Sequence, residues 1–206
     1  SLVSTGNQVY VFGNQIVNGG FEEAEGGEKN QPAGWKIEGL AKRIRDKTEN
    51  WKFKLSTDID HPNAAVVQMV SLPDPAPPVA TAALSVKAGE LVQLNPETKG
   101  MLSINVNFFD GAGNPIDKNR TLREWAEKFS TRPWSGLFKI PEGARSIEFR
   151  LELKSISGEA FFDDVEVFWG FPEDKDRGNW IVDGGIEYHN AWSPWLLAPG
   201  SKIVYP

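Results

Sequence analysis

The 206-residue chain contains no cysteine. That absence excludes disulfide stapling and thiol catalysis, and it leaves the redox compartment open. No run of 18 apolar residues is present, so no stretch reads as a membrane-spanning helix. No leader pattern opens the chain, and a piece cut from a secreted protein reads the same way. Basic blocks are missing too. "KRIRDK" is short and acids follow it. With 22 Lys and Arg against 28 Asp and Glu, the net charge is −6. An acidic chain without a basic stripe argues against nucleic-acid binding and against docking on an anionic membrane. Gly-x-Ser-x-Gly, His-Glu-x-x-His and phosphate-loop patterns are all absent.

Against these gaps stand eight tryptophans and twelve phenylalanines. Tryptophan belongs in cores, interfaces and stacking platforms. The chain is long enough for one β-rich domain with a sizeable core. Short segments with period-2 alternation dominate it. "SINVNFFD" places Ile104, Val106 and Phe108 on one face and Ser103, Asn105 and Asn107 on the other. "SIEFRLELK" places Ile147, Phe149, Leu151 and Leu153 opposite Glu148, Arg150 and Glu152. In "FFDDVEVFW" the alternation puts Asp163 with Val165 and Val167. "AAVVQMVSL" and "TAALSVKA" are further strands. Turns follow at "DGAGNP", "PEGA" and "SGE". The four prolines of "LPDPAPPVA" make residues 72–80 a rigid connection inside the domain. "TLREWAEKF" carries Leu122, Trp125, Ala126 and Phe129 at helical spacing behind a Thr121–Glu124 capping box, which predicts one short helix. The expected fold is all-β, an antiparallel β-sandwich jelly roll with that helix.

The opening holds a repeat. "NQIVNGGFEE" at 14–23 returns as "NWIVDGGIEY" at 179–188, with six of ten positions identical at a constant offset of 165. The expected organisation is a sandwich over 1–170, a linker over 171–178 and a further unit over 179–206. The last stretch is too short to close a core. It reads as the start of a second similar module, or as a tail docked on the first.

In order, "IVNGGFEE", "PAGW", "FFDGAGNPI", "RPWSGLFKIPEGARSIEFRLEL" and "GEAFFDDVEVF" resemble carbohydrate-binding modules of the galactose-binding-like jelly-roll type, similar to families 4, 9, 16 and 22. The resemblance covers residues 14–169. It implies a non-catalytic, secreted or cell-surface bacterial module. Such a module holds a glycoside hydrolase or polysaccharide lyase on its polysaccharide, beside neighbouring catalytic or binding modules. Two such units on one chain raise avidity through effective concentration. The sequence departs from the pattern in the charged stretch between Trp35 and Ala64 and at "TLREWAEKF".

The resemblance further implies a structural Ca²⁺ between "GFE" and "DDV", with Glu22, Asp163 and Asp164 as ligands. Oxygen donors suit that ion, and a carboxylate turned toward a core needs a cation or N–H donors. For carbohydrate, Trp134 and Trp35 match aromatic positions near the binding surface, and Trp51 lies in a polar setting. Asn105, Asn107, Arg150 and Gln68 are the polar partners. Each residue also has a plain reading: edge packing for the tryptophans, a solvated sheet face for the polar set, backbone amides for Asp163. Catalysis has little to stand on. Glu187 aligns with Glu22 in the repeat, His189 stands alone beside it, and His61 sits in a turn. The alternatives to a sugar-binding module are a structural or adhesive spacer of the same fold and a glycan-active enzyme fragment. Coplanar exposed tryptophans favour the first reading, packed tryptophans the spacer. Facing carboxylates about 5–9 Å apart would favour the enzyme.

Overall fold

Alternating apolar and polar side chains want a sheet with one dry face, and two such sheets can bury their dry faces against each other. The computed structural model describes residues 2–5, 8–11, 13–26, 30–170 and 180–182. Strands β1 (Leu2–Thr5), β2 (Gln8–Val11) and β13 (Trp180–Val182) form a small antiparallel sheet of their own. The other ten strands build the sandwich. They are β3 (Lys36–Glu38), β4 (Ala41–Arg45), β5 (Trp51–Thr57), β6 (Asn63–Ser71), β7 (Val79–Gln93), β8 (Met101–Phe109), β9 (Pro115–Trp125), β10 (Phe129–Lys139), β11 (Ser146–Lys154) and β12 (Ile156–Trp169). Sheet I has the order β10-β7-β12-β5-β4 and sheet II the order β3-β6-β11-β8-β9. Every pairing is antiparallel.

The core is the set that the alternation selects. Phe53, Leu55, Val86 and Ala160 come from sheet I. Ile104, Val106, Phe108, Ile147, Phe149, Leu151 and Leu153 come from sheet II, and all are buried. Each large side chain contributes about 1.5–3 kcal/mol on full burial.

Residues 121–129 form no helix. They end β9, turn at 126–128 and begin β10. Thr121 lies opposite Asn105 and donates its hydroxyl to Asn105 Oδ1 at 2.8 Å, so it caps nothing. A β-bulge slips the register between the Ile104–Arg123 and Asn105–Thr121 pairs. The slip lets Leu122 and Trp125, three residues apart, both pack on the core. A bulge thus reproduces the i, i+3 spacing of a helix face.

The opening loop lies along the end of β12. Gln15 N donates to Val167 O at 2.7 Å, and Val165 N donates to Gly19 O at 3.0 Å. Asn14 pins the same strand from its side chain, giving Nδ2 to Val165 O and accepting from Val167 N. A methyl at Gly19 would stand 1.9 Å from Val165 O, whereas at Gly20 it would meet only the end of Glu22 at 3.7 Å. Close approach therefore dictates the first glycine. Beyond it Phe21 is fully buried, stacked on Phe53 at 5.1 Å and against Trp35 at 5.3 Å.

Gly19→Ala is expected to destabilise the sandwich by about 1–3 kcal/mol through overpacking, and Gly20→Ala by much less. Urea unfolding midpoints of the two variants check this. Equal losses would show that the clash at Val165 is relieved at no cost.

Candidate functional site

The outer face of sheet II gathers the polar residues that alternation turned away from the core. Asn105 lies opposite Arg150, Asn107 opposite Glu148 and Ser103 opposite Glu152. On the other side Arg150 neighbours Val67, which pairs with Lys36, and Glu38 pairs with Ala65. The side chains join into one chain of contacts. Lys36 Nζ reaches Glu38 at 2.9 Å, and Arg150 Nη2 donates to Glu38 at 2.6 Å. Arg150 Nε stands 3.4 Å from Glu152. Asn105 Nδ2 donates to Glu152 and to Ser103 Oγ, and Thr121 donates to Asn105 Oδ1. Asn107 donates to Glu148 at 2.6 Å. Ala65 and Val67 form a small, dry floor beside the array. The Arg150 hydrogen bond, with Lys36 behind it, holds the Glu38 carboxyl below its usual range. Burial works against the Arg150 charge, but Glu38 and Glu152 outweigh it and raise its pKa. The face is thus charged, paired and preorganised.

Asn105, Asn107 and Arg150 are brought together as expected. Gln68 is not with them. It lies opposite Phe149 on the core side, 5% exposed. Its amide clasps the Val17 backbone at both ends, accepting from Val17 N at 2.7 Å and donating to Val17 O at 2.9 Å. An amide in an apolar strand was legible as exceptional, but not its partner 51 residues away.

Trp35, Trp51 and Trp134 are packed. Trp35 is only 2% exposed and gives its indole N–H to Asn18 O, so it is a core residue and not a platform. Trp51 pairs with Arg45 on the inner side of the edge strand and lies beneath the Arg43 guanidinium, 4.1 Å from ring centre to Cζ. Trp134 is half-buried at the edge of sheet I. It meets Trp125 edge-on at 6.5 Å and 81°. A methyl at Gly136 would come within 2.5 Å of the Trp134 ring, so the indole lies down its own strand over that glycine. Trp35, Trp125 and Trp169 are buried, Trp51 and Trp134 are half-buried, and the Trp125–Trp134 pair is not coplanar.

The expected calcium ligands are distributed differently from the alternation argument. Asp163 pairs with Ser85 on the outer side of sheet I, while Val165 is buried in the core. A bulge between Asp163 and Glu166, with Asp164 at φ 50°, breaks the phase between them. Asp163 accepts from Asn50 Nδ2 at 2.8 Å and from Asp164 N at 2.9 Å. It edges an open groove of about 560 Å³ that Asp46, Lys52 and Phe161 also line. Burial, reinforced by the Asp164 charge, pushes its pKa up to about 6. Glu22 is exposed. The carbonyls of Phe21 and Glu22 are occupied by a buried cation of the chain itself. Arg43 Nε donates to Phe21 O at 2.7 Å and Nη2 to Glu22 O at 2.6 Å. Among the described residues no three His, Asp or Glu side chains converge as a metal cage. This donor set does not fit a calcium ion. Glu187 and His189 lie outside the described residues, and His61 is an exposed turn residue beside Asp58 at 3.2 Å.

No family model and no curated protein matches the sequence. Solved structures do match in shape. The enzymatically active domain of tailspike protein 4 from bacteriophage CBA120 aligns over 76% of this chain with a TM-score of 0.57 and 15% identity. The match spans only 21% of that domain. A family 16 carbohydrate-binding module aligns over 75% of this chain and 99% of its own, with a TM-score of 0.52 and 17% identity. A tandem of family 22 modules from Paenibacillus barcinonensis aligns over 78% of this chain and 47% of its own, with a TM-score of 0.50 and 13% identity. The chain has the jelly-roll β-sandwich fold of carbohydrate-binding modules.

Two outcomes follow from this geometry. Arg43→Met leaves two loop carbonyls without their donor and should destabilise the fold by about 2–3 kcal/mol, while a chelator should leave the wild-type melting temperature unchanged. A fall on chelation that Ca²⁺ reverses would return the ion to this loop. Asp163 generates the second. Its folded pKa of about 6 lies above the unfolded value of 3.8, so the folded state holds the extra proton between about pH 4 and pH 6. Stability from this group is present below pH 4, falls as pH rises through 6 and is flat above. Asp163→Asn should remove that slope in denaturant titrations at pH 5, 6 and 7. An unchanged slope would assign it elsewhere.

Proposed function

We propose that this module binds a polysaccharide without cleaving it, and that the outer face of sheet II is the binding surface. The observation that carries the reading is the continuous array from Lys36 through Glu38, Arg150, Glu152 and Asn105 to Thr121. Sugar hydroxyls donate and accept at once, and the array alternates acceptors with donors at fixed positions. Around Arg150 three carboxylates, Glu38, Glu148 and Glu152, stand against Arg150 and Lys36, which favours a neutral glycan over an acidic one at that point. Among the described residues no tryptophan lies on this face, so binding there rests on hydrogen bonds worth about 0.5–1.5 kcal/mol each, and affinity should be modest. The fold shared with a module named for carbohydrate binding supports the same reading.

The role that follows is to hold a polysaccharide-degrading partner module on its substrate outside the cell. The second copy of the opening motif supports a further module beginning near Asn179, and paired modules would bind by avidity. Burial of Trp35, Trp125 and Trp169 favours one rival, a structural spacer of the same fold.

Affinity electrophoresis against neutral polysaccharides decides between them. The wild type should be retarded by at least one glycan. Asn107→Ala, and Asn105→Ala through the order its buried amide imposes on Glu152 and Thr121, should weaken that retardation about 5- to 30-fold, as loss of one or two polar contacts does. Melting curves confirm that both variants fold. Retardation by no glycan would leave the spacer.

A further inference from the structure

β9 is the outer strand of sheet II and β10 the outer strand of sheet I, and the turn at 126–128 joins them. They form the two lips of one flank of the sandwich. Side chains close this flank. Trp125 of β9 meets Trp134 of β10 near the turn, and Arg120 of β9 donates to Lys139 O of β10 further along. Around the Trp125–Trp134 contact two core-side positions carry arginines, while Phe138 further along β10 is buried in the core. Arg123 lies opposite Ile104, and Arg132 lies opposite Val86. Both guanidiniums rest on aromatic rings. Arg132 Cζ is 3.9 Å from the Phe129 centroid and 5.8 Å from that of Trp125, and Arg123 Cζ is 5.7 Å from the same Trp125 ring.

Two features separate this flank from an ordinary solvated edge. Arg123 and Arg132 are both exposed, and neither has a carboxylate or hydrogen-bond partner among the described residues. Arg150, Arg45 and Arg145, by contrast, each face an acid. In addition, the Trp125 indole N–H is buried without any acceptor. Inward-pointing charges on edge strands discourage edge-to-edge pairing, but that role asks for neither stacked aromatics nor two cations on one ring. A guanidinium lying on a ring keeps its N–H edge free for a carboxylate or sulfate. The half-buried Trp134 indole, lying over Gly136, offers a ring beside them.

We propose that this flank is a second glycan site that takes an anionic sugar unit, carrying a carboxylate or a sulfate ester, between Arg123 and Arg132 with Trp134 alongside. The proposal rests on the carbohydrate-binding reading, but on a different surface from the array of sheet II. The rest of the chain carries net negative charge, so attraction here is local and screened by salt.

The test is affinity electrophoresis of the full chain in polygalacturonate, in a sulfated galactan and in the neutral glycan bound by the wild type. Arg123→Gln, Arg132→Gln, the double variant and Arg132→Lys are compared, with melting curves as the folding control. At least one acidic glycan should retard the wild type. The double variant should lose about tenfold or more of that retardation, and Arg132→Lys should recover part of it, because charge remains while the planar fork is lost. Neutral-glycan retardation should not change. The polygalacturonate and galactan arms tell carboxylate from sulfate. Acidic-glycan binding that survives the double variant would overturn the proposal. So would binding of neutral glycan only, which leaves the sheet-face reading standing. Retardation by nothing would remove both.

Discussion

Gly19 and Val165 approach so closely that no side chain fits between them, and the main chain bonds across the contact. Much of the site geometry follows from this clasp. Asn14 holds the strand on one side of it through Val165 and Val167. The loop then delivers Phe21 into the core and turns its carbonyl, with that of Glu22, toward Arg43. Gln68 reaches out of sheet II to fix Val17. One loop of irregular backbone is therefore tied to both sheets. Irregular backbone carries unsatisfied polar groups, and here Asn14, Gln68, Trp35 and Arg43 satisfy them. The repeated motif keeps Asn179 and Gly184 at the positions of Asn14 and Gly19. Those are the two residues the clasp requires, which gives the repeat a physical meaning beyond similarity.

Arg43 shows how a buried cation can be accommodated without a metal. Burial lowers its pKa, while Glu22 opposes that shift. Its charge is spread over two carbonyls and the face of Trp51. A guanidinium suits this place because it is weakly hydrated and planar, so it can donate from its edge and stack on its face. The charged stretch between Trp35 and Ala64, where the sequence departs from the resemblance, supplies this arginine. The oxygens that a calcium ion would need are then already spoken for.

How much of this the sequence shows depends on where strands stay in phase. β8 and β11 run nine residues each without a register slip between them, and both of their faces were legible to the residue. Two of the failures share one cause. A bulge near Leu122 turned a strand pattern into an apparent helix, and a bulge at Asp164 moved Asp163 from the apparent core side to the outside. A bulge adds one residue to one strand and leaves no composition signal of its own. Trp35 and Gln68 were misplaced for another reason. Their burial depends on Asn18 and Val17, loop residues whose position only the folded chain sets.

The two surfaces proposed for glycan differ in how their charges are spent. On sheet II Glu38, Arg150 and Glu152 are paired with one another and Glu148 is held by Asn107, so a ligand must exchange existing hydrogen bonds for new ones, and selectivity comes from matching a fixed pattern. On the β9–β10 flank Arg123 and Arg132 are held in place by rings, which leaves their donors unspent. An aromatic support orders a guanidinium without neutralising it, whereas a carboxylate partner does both. A ligand that arrives with its own negative charge completes the second surface and disrupts the first. Neutral and acidic sugars should therefore sort to different sides of the same sandwich, and a glycan bearing both could engage the two at once.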